Sequence, residues 1–182
     1  MAACLLLSGC LTSEKPILAE SADVTVADLS GTYTSRTTGL PAIVTREGNN
    51  RFLVKRGDSD PEEAILVPLD VPGTYLMQFY DGKDYLLAPI LVTEDRVVVS
   101  IFAAAVQESL GSALNEADHF RQLAASLLTN NLKAILQKHG MEVDKDYKLL
   151  NQPTPKALVA FFNECVREPG TLTDGEVLTK KK

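Results

Sequence analysis

The spacing of apolar residues changes once along the chain, near residue 103. Before it, short stretches rich in β-branched, aromatic and aliphatic residues are separated by turn signals such as Gly48-Asn49-Asn50, Pro72-Gly73 and Asp81-Gly82. The strands that this pattern predicts cover residues 31–37, 42–46, 51–55, 64–71, 74–80, 85–92 and 96–102. Because consecutive strands with short turns pair as neighbours, we expect an antiparallel β-meander, as a curled sheet or partly open barrel. Pro89 cannot donate to a ladder, so we expect it at an edge or a bulge.

Beyond residue 103 the apolar residues recur at the spacing of helices. The last helix has the clearest limits, because Thr154 suits an N-cap, Pro155 the first helical position and Pro169-Gly170 a terminator. Residues 141–150 are charged and predict a loop or a short added strand. The predicted fold class is therefore α+β, with an N-terminal antiparallel meander packed by C-terminal helices.

Composition narrows the range of partners. The chain has 182 residues, 45% of them hydrophobic, which is enough for one compact core. Its 18 basic and 24 acidic residues give a net charge of −6, and no basic stripe is interleaved with aromatics, so we expect no nucleic-acid partner. No apolar run approaches the roughly 20 residues of a membrane-spanning helix. Composition does not indicate the oligomeric state.

A short motif near the N-terminus suggests where in the cell the protein is located. Residues 1–7 are almost wholly apolar and are followed by Ser8, Gly9 and Cys10, after which the chain becomes polar. Leu7-Ser8-Gly9-Cys10 resembles the lipobox of bacterial lipoproteins, in which a leucine and two small residues precede an invariant cysteine. The resemblance implies cleavage between Gly9 and Cys10, a diacylglycerol on the Cys10 thiol and an acyl chain such as palmitate on the new amino terminus. Leu11, where retention in the inner membrane typically uses aspartate, implies the outer membrane.

The segment before the motif departs from a complete signal peptide. It has no Lys or Arg, and its apolar run is shorter than the roughly 7–15 residues of a signal core. We therefore expect the true start codon to lie upstream. The alternative is an apolar N-terminus with an incidental cysteine.

The domain organisation follows from these signals. We expect a signal peptide at 1–9, a lipidated tether at 10–27 and a single domain at 28–168. Within that domain, 28–102 is predicted to be rich in strands and 103–168 mainly helical. Residues 169–182 are predicted to form a flexible tail.

The cysteines fit an exported protein. Cys4 leaves with the signal peptide and Cys10 is alkylated, so Cys165 is the only free thiol expected in the mature chain. Cys165 shares a helix face with Leu158, Phe161, Phe162 and Val166, which predicts a small buried hydrophobic residue and not a bridging or reactive thiol.

No motif indicates catalysis, and we expect neither an enzyme nor a metal or other cofactor. His119 and His139 lack a second metal ligand at helical spacing, which favours surface or capping roles. The acidic stretch 57–63 fails the calcium-loop pattern and predicts a solvated loop.

Two functions of different classes remain. In the first, the protein is a non-catalytic, membrane-anchored envelope lipoprotein that displays its domain to bind a protein or another envelope component. In the second, the sheet is a lipocalin-like carrier of a small apolar ligand. Leu29-Ser30-Gly31-Thr32-Tyr33 resembles the Gly-x-aromatic motif of lipocalins, with Tyr33 where tryptophan is typical. The candidate ligand-lining residues are Tyr33, Tyr75, Met77, Phe79 and Tyr85, for which an ordinary core is the alternative.

Overall fold

The computed structural model describes residues 10–103 and 119–181, which form nine strands and two helices. The elements are β1 (Leu11–Ser13), β2 (Gly31–Ser35), β3 (Pro41–Arg46), β4 (Arg51–Arg56), β5 (Glu62–Pro68), β6 (Thr74–Tyr80), β7 (Tyr85–Val92), β8 (Arg96–Phe102), α1 (His119–Lys138), α2 (Pro155–Arg167) and β9 (Leu172–Lys180). The seven strands predicted before residue 103 are all present, and β6, β7 and β8 have the predicted limits.

Strands β2 to β9 close into an eight-stranded antiparallel barrel. The closing strand is β9, which pairs with β2 through Tyr33 and Lys180 and with β8 through Val97 and Leu178. The prediction of a curled or partly open sheet is therefore corrected to a closed barrel. The prediction of a flexible tail at 169–182 is wrong for Leu172–Lys180. Without β9, the edges of β2 and β8 would carry unpaired backbone groups, and barrel closure removes both edges.

Side chains that point into the barrel form the interior cluster. Its buried members include Tyr33, Phe52, Leu66, Phe79 and Ile90. Because successive residues of a strand point to opposite faces, the members from one strand alternate along it, as Leu86, Ala88 and Ile90 do in β7.

A second, outer cluster lies outside the barrel wall, between the sheet and the helices. From the sheet it takes Ile65, Leu76 and Leu87, and from the helices it takes residues such as Leu132 and Phe162. Thr154 caps α2 as predicted, since its hydroxyl accepts the Ala157 N–H at 3.2 Å.

The N-terminal segment is folded onto the barrel. On one side β1 pairs with β7, with Leu11 opposite Leu87. On the other side the Thr12 N–H donates to the Tyr147 carbonyl at 3.1 Å, and the Leu149 N–H donates to the Thr12 carbonyl at 2.8 Å. β1 therefore joins the barrel to the segment between the two helices.

Residues 14–30, here called the strap, follow β1. The Gln78 side chain accepts the backbone N–H groups of Ile17 and Leu18 at 2.7 and 2.8 Å, and Val26 and Leu29 are buried in the interior cluster. The predicted tether at 10–27 is therefore corrected to a packed segment, and the folded unit extends beyond the predicted 28–168. The physical reason is that the strap's few apolar residues are buried and its backbone groups find side-chain partners.

Pro89 lies where the neighbour of β7 changes. Residues 85–87 of β7 pair with β1 and residues 90–92 pair with β8, so Pro89 falls in the gap between the two ladders. On its other side it pairs with Leu76 of β6. This placement agrees with the expectation of an edge or irregular position.

Candidate functional site

Four of the five candidate ligand-lining residues face the barrel interior. Tyr33 and Phe79 are buried members of the interior cluster, and Tyr75 and Met77 pack against it. The Tyr33 hydroxyl donates to the Leu29 carbonyl at 2.9 Å, and burial raises the pKa of Tyr33. The Ala27 N–H donates to the Tyr75 hydroxyl at 3.3 Å, so both phenols are hydrogen-bonded to the backbone of the strap.

Tyr85 does not belong to this set. Its neighbour Leu86 is in the interior cluster, so Tyr85 lies on the outer face of β7. There its ring centroid lies 5.1 Å from that of Tyr80, which is itself exposed. The prediction that Tyr85 lines the interior is therefore wrong, because the alternation of β7 places it on the opposite face.

Cys10 lies at the start of β1 and is buried in the interior cluster, with 3% of its surface exposed. Burial raises the pKa of its thiol to about 12. Cys165 is also buried, in the outer cluster, which confirms its predicted packing role, and burial raises the pKa of this thiol as well. Both cysteines are free, and both thiols are neutral at physiological pH, which makes them poor nucleophiles in the folded chain.

A cavity of about 620 Å³ lies outside the barrel, between α1 and residues 141–150. One wall is a single face of α1 and the other is a run of consecutive residues from Met141 to Lys145. Buried Leu132, Leu136 and Met141 supply the apolar floor. This volume is within the range of ligand-binding pockets, so the groove is the candidate binding site outside the barrel.

A tight turn fixes the wall of the groove. The Asp144 carboxylate accepts the backbone N–H groups of Asp146 at 2.8 Å and Lys148 at 2.9 Å, and the Lys148 bond is the main reason for its lowered pKa. Tyr147 has a φ of 60°, a conformation that residues other than glycine rarely adopt. The Tyr147 ring lies beside that of Phe102, with centroids 5.8 Å apart and ring planes inclined by 32°.

Lys148 connects this turn to the N-terminal segment. Its ammonium group lies 2.9 Å from a carboxylate oxygen of Glu14 and 3.3 Å from one of Asp84. The hydrogen bond to Glu14 is the largest cause of the raised pKa of Lys148, and the same bond lowers the pKa of Glu14. Three separate segments of the chain therefore meet at one cation.

The remaining candidates for chemistry have structural partners. His139 Nε2 lies 2.9 Å from Glu164, whose pKa is lowered by Lys138 first and by His139 second, so this histidine links the two helices. The side chain of His119 lies outside the described residues. In the acidic stretch 57–63, Glu62 pairs with Arg56 at 2.9 Å within the sheet, and residues 57–61 form the turn between β4 and β5. Within the described ranges, no group of three or more potential metal-ligating side chains is found.

Sequence reasoning missed the groove. The available signal is the helical spacing of Leu132 and Leu136 next to the charged residues 141–150, for which the sequence predicts only a loop or a short strand. None of the helices in the described ranges is both long and apolar enough to cross a membrane. No protein family, curated protein or solved structure matches the chain.

Proposed function

We propose that the chain is a non-catalytic lipoprotein of the bacterial envelope, anchored in the membrane through Cys10, that displays its barrel domain to bind a protein or another envelope component. One observation carries the proposal. The first strand begins at Leu11, directly after the lipobox. Cleavage between Gly9 and Cys10 would therefore keep all the described strands and helices in the mature chain.

The burial of Cys10 sets the order of events in this proposal. Alkylation requires a thiolate that the modifying enzyme can reach, and the folded chain offers a buried, neutral thiol. Lipidation therefore precedes folding, and a lipidated Cys10 lies outside the interior cluster. Because β1 begins at the next residue, the anchor holds the barrel close to the bilayer without a long spacer.

Intact mass spectrometry tests the anchor. Protein recovered from bacterial membranes after expression from the full upstream start should exceed the mass of the chain beginning at Cys10 by a diacylglycerol and an acyl chain. Cys10→Ser should remove the added mass and release the protein from the membrane fraction. The matched control is Cys165→Ser, which should keep the added mass and stay in the membrane fraction. An unprocessed chain, or membrane retention of the Cys10→Ser variant, would exclude the anchor.

The closed barrel also favours a second function, the lipocalin-like carriage of a small apolar ligand. An eight-stranded barrel has an interior that is either filled by side chains or able to hold one small ligand. Tyr33, Tyr75, Met77 and Phe79 give this interior an aromatic and apolar lining. The fold alone is compatible with a carrier and does not identify a ligand.

Matched tryptophan substitutions test the carrier function. Met77→Trp adds bulk in the interior, and Tyr85→Trp places the same indole on the outer face. If the interior holds a ligand, titration with a dansyl-labelled fatty acid should give saturable binding that Met77→Trp weakens at least tenfold. Tyr85→Trp should leave the affinity unchanged. No saturable binding, or equal effects of the two substitutions, would exclude an interior site.

A further inference from the structure

The wall of the groove contains a single antiparallel bridge, and one side of that bridge is open. Asp144 N–H donates to the Lys148 carbonyl at 2.9 Å, and Leu150 N–H donates to the Glu142 carbonyl at 2.8 Å. These two bonds flank Val143 and place it opposite Leu149 in an antiparallel bridge. In such a pair the N–H and C=O of the central residue point away from the partner strand. Among the described residues, neither backbone group of Val143 has a hydrogen-bond partner.

This edge faces the cavity. Residues 141–145 all line it, and Val143 lies at the centre of this run. The segment is held from behind by the 147–149 backbone, which is itself bonded to β1. One backbone donor and one backbone acceptor, the N–H and C=O of Val143, are therefore fixed on one side of a groove whose floor is apolar.

The rim indicates the charge of the occupant. Lys133 and Lys145 are balanced by Glu142 and Asp144, so the lining has no net charge. Leu150, at the open side, has 66% of its surface exposed. A net-charged ligand gains nothing from such a rim, whereas a neutral ligand with apolar side chains would cover Leu150 and contact the floor.

We propose that the groove binds an uncharged, extended peptide segment of another protein, which adds a strand to the Val143 edge and places alternate apolar side chains against Leu132 and Leu136. Strand addition uses unpaired backbone groups for hydrogen bonds and apolar contacts for alternate side chains, and here the backbone groups of Val143 lie beside an apolar floor. The groove would be the binding surface of the proposed envelope lipoprotein. The inference rests on that proposed function only in taking the partner to be an envelope protein.

A peptide pair tests strand addition on the full chain. The probe is fluorescein-labelled Val-Thr-Val-Thr-Val, acetylated and amidated. Its control carries N-methyl groups on alternate residues, which remove the donors of one edge and keep the side chains. Fluorescence anisotropy should show saturable binding of the probe and at least tenfold weaker binding of the methylated peptide.

A pair of protein variants tests the same bonds from the other side. Val143→Pro removes the N–H that faces the groove, and Val143→Thr keeps it with a similar shape. The proline variant should bind the probe at least tenfold more weakly, and the threonine variant should bind like the wild type. If Val143→Pro does not fold, the methylated peptide still decides the question on the wild-type chain.

Three results would overturn the proposal. Absence of saturable binding excludes a peptide groove, and equal binding of the two peptides indicates apolar adsorption without strand addition. A dimer in light scattering that Val143→Pro dissociates shows that a second copy of the chain occupies the edge. None of these measurements involves Cys10, so failure here leaves the anchor untested and failure of the anchor leaves this result intact.

Discussion

The two hydrophobic clusters lie on opposite sides of the barrel wall. Some strands bury residues in the interior cluster only, and others bury residues in both clusters. On β3, Ala42 and Val44 are buried in the interior, whereas Ile43 between them is 48% exposed. On β5, Ala64 and Leu66 serve the interior, and Ile65 between them is buried in the outer cluster. A strand in which apolar and polar residues alternate therefore belongs to a part of the wall with solvent outside. A strand with consecutive apolar residues belongs to a part that the helices cover.

The clusters also differ in how they are held. The interior cluster is enclosed by a closed ring of paired strands, which β9 completes. The outer cluster depends on helices and on the strap, which side chains such as Gln78 and Asn50 attach to the barrel. Disruption of the strand pairing should therefore destabilise the fold more than loss of a side chain on either face of the wall.

Removal of β9 should have the largest effect. A chain that lacks residues 172–180 leaves β2 and β8 with open edges and exposes the interior cluster, so it should aggregate and lose its cooperative unfolding transition. Circular dichroism during urea titration and size-exclusion chromatography measure both properties. The control is Asp174→Asn, an exposed position in the same strand, which should behave like the wild type. A monomeric deletion variant with a cooperative transition would mean that β9 is not needed for closure.

Truncation of one phenylalanine in each cluster should have the next largest effect. Phe52 in the interior and Phe162 in the outer cluster are both fully buried, so alanine at either position should lower the free energy of unfolding by about 3–5 kcal/mol. Labelling of Cys10 and Cys165 reports on the two clusters separately. If they form one cooperative unit, each substitution accelerates the labelling of both thiols. Acceleration of Cys165 alone by Phe162→Ala would show that the outer cluster opens independently.

Loss of the hydrogen bonds between the Gln78 side chain and the strap should lower the free energy of unfolding by less. Gln78→Leu removes three hydrogen bonds to the backbone of Ile17 and Leu18, and should lower the free energy of unfolding by about 1–3 kcal/mol because buried groups lose their partners. Urea denaturation measures the change. Gln137→Leu, at an exposed position on α1, is the matched control and should change stability by less than about 0.5 kcal/mol. Equal stabilities of the two variants would contradict a packed strap.

Ionisation of Cys10 at alkaline pH should lower stability less than the three changes above. The unfolded Cys10 thiol ionises near its ordinary pKa of 9.0, whereas the folded thiol does so near 12. The unfolded state therefore releases its proton first, and stability that is complete below pH 9 is lost as the pH rises toward 12. At pH 10 the loss is about 1.4 kcal/mol. Comparison of wild type with Cys10→Ala at pH 8 and pH 10 should show a smaller pH dependence in the variant, and identical profiles would contradict the burial of Cys10.

The candidate sites were predictable to different extents. The alternation of Tyr75, Met77 and Phe79 along one strand was sufficient to place them on one face. The position of Tyr85 required the register of β7, because one residue of displacement moves a side chain to the other face. The groove required the tertiary structure, since its walls are separated in the chain and meet only when α1 packs beside residues 141–150.

By itself, the sequence determined the elements whose signals are local. Turn residues and period-two apolar positions located β2 to β8, and Thr154 with Pro155 located the start of α2. Tertiary structure decided the closure of the barrel, the packing of residues 10–30 and the open edge at Val143. Residues 172–180 and the strap contain few strong strand formers, and they become ordered because the barrel offers them unpaired edges, buried contacts and side-chain partners. Those partners lie far away in the chain, so no local pattern records them.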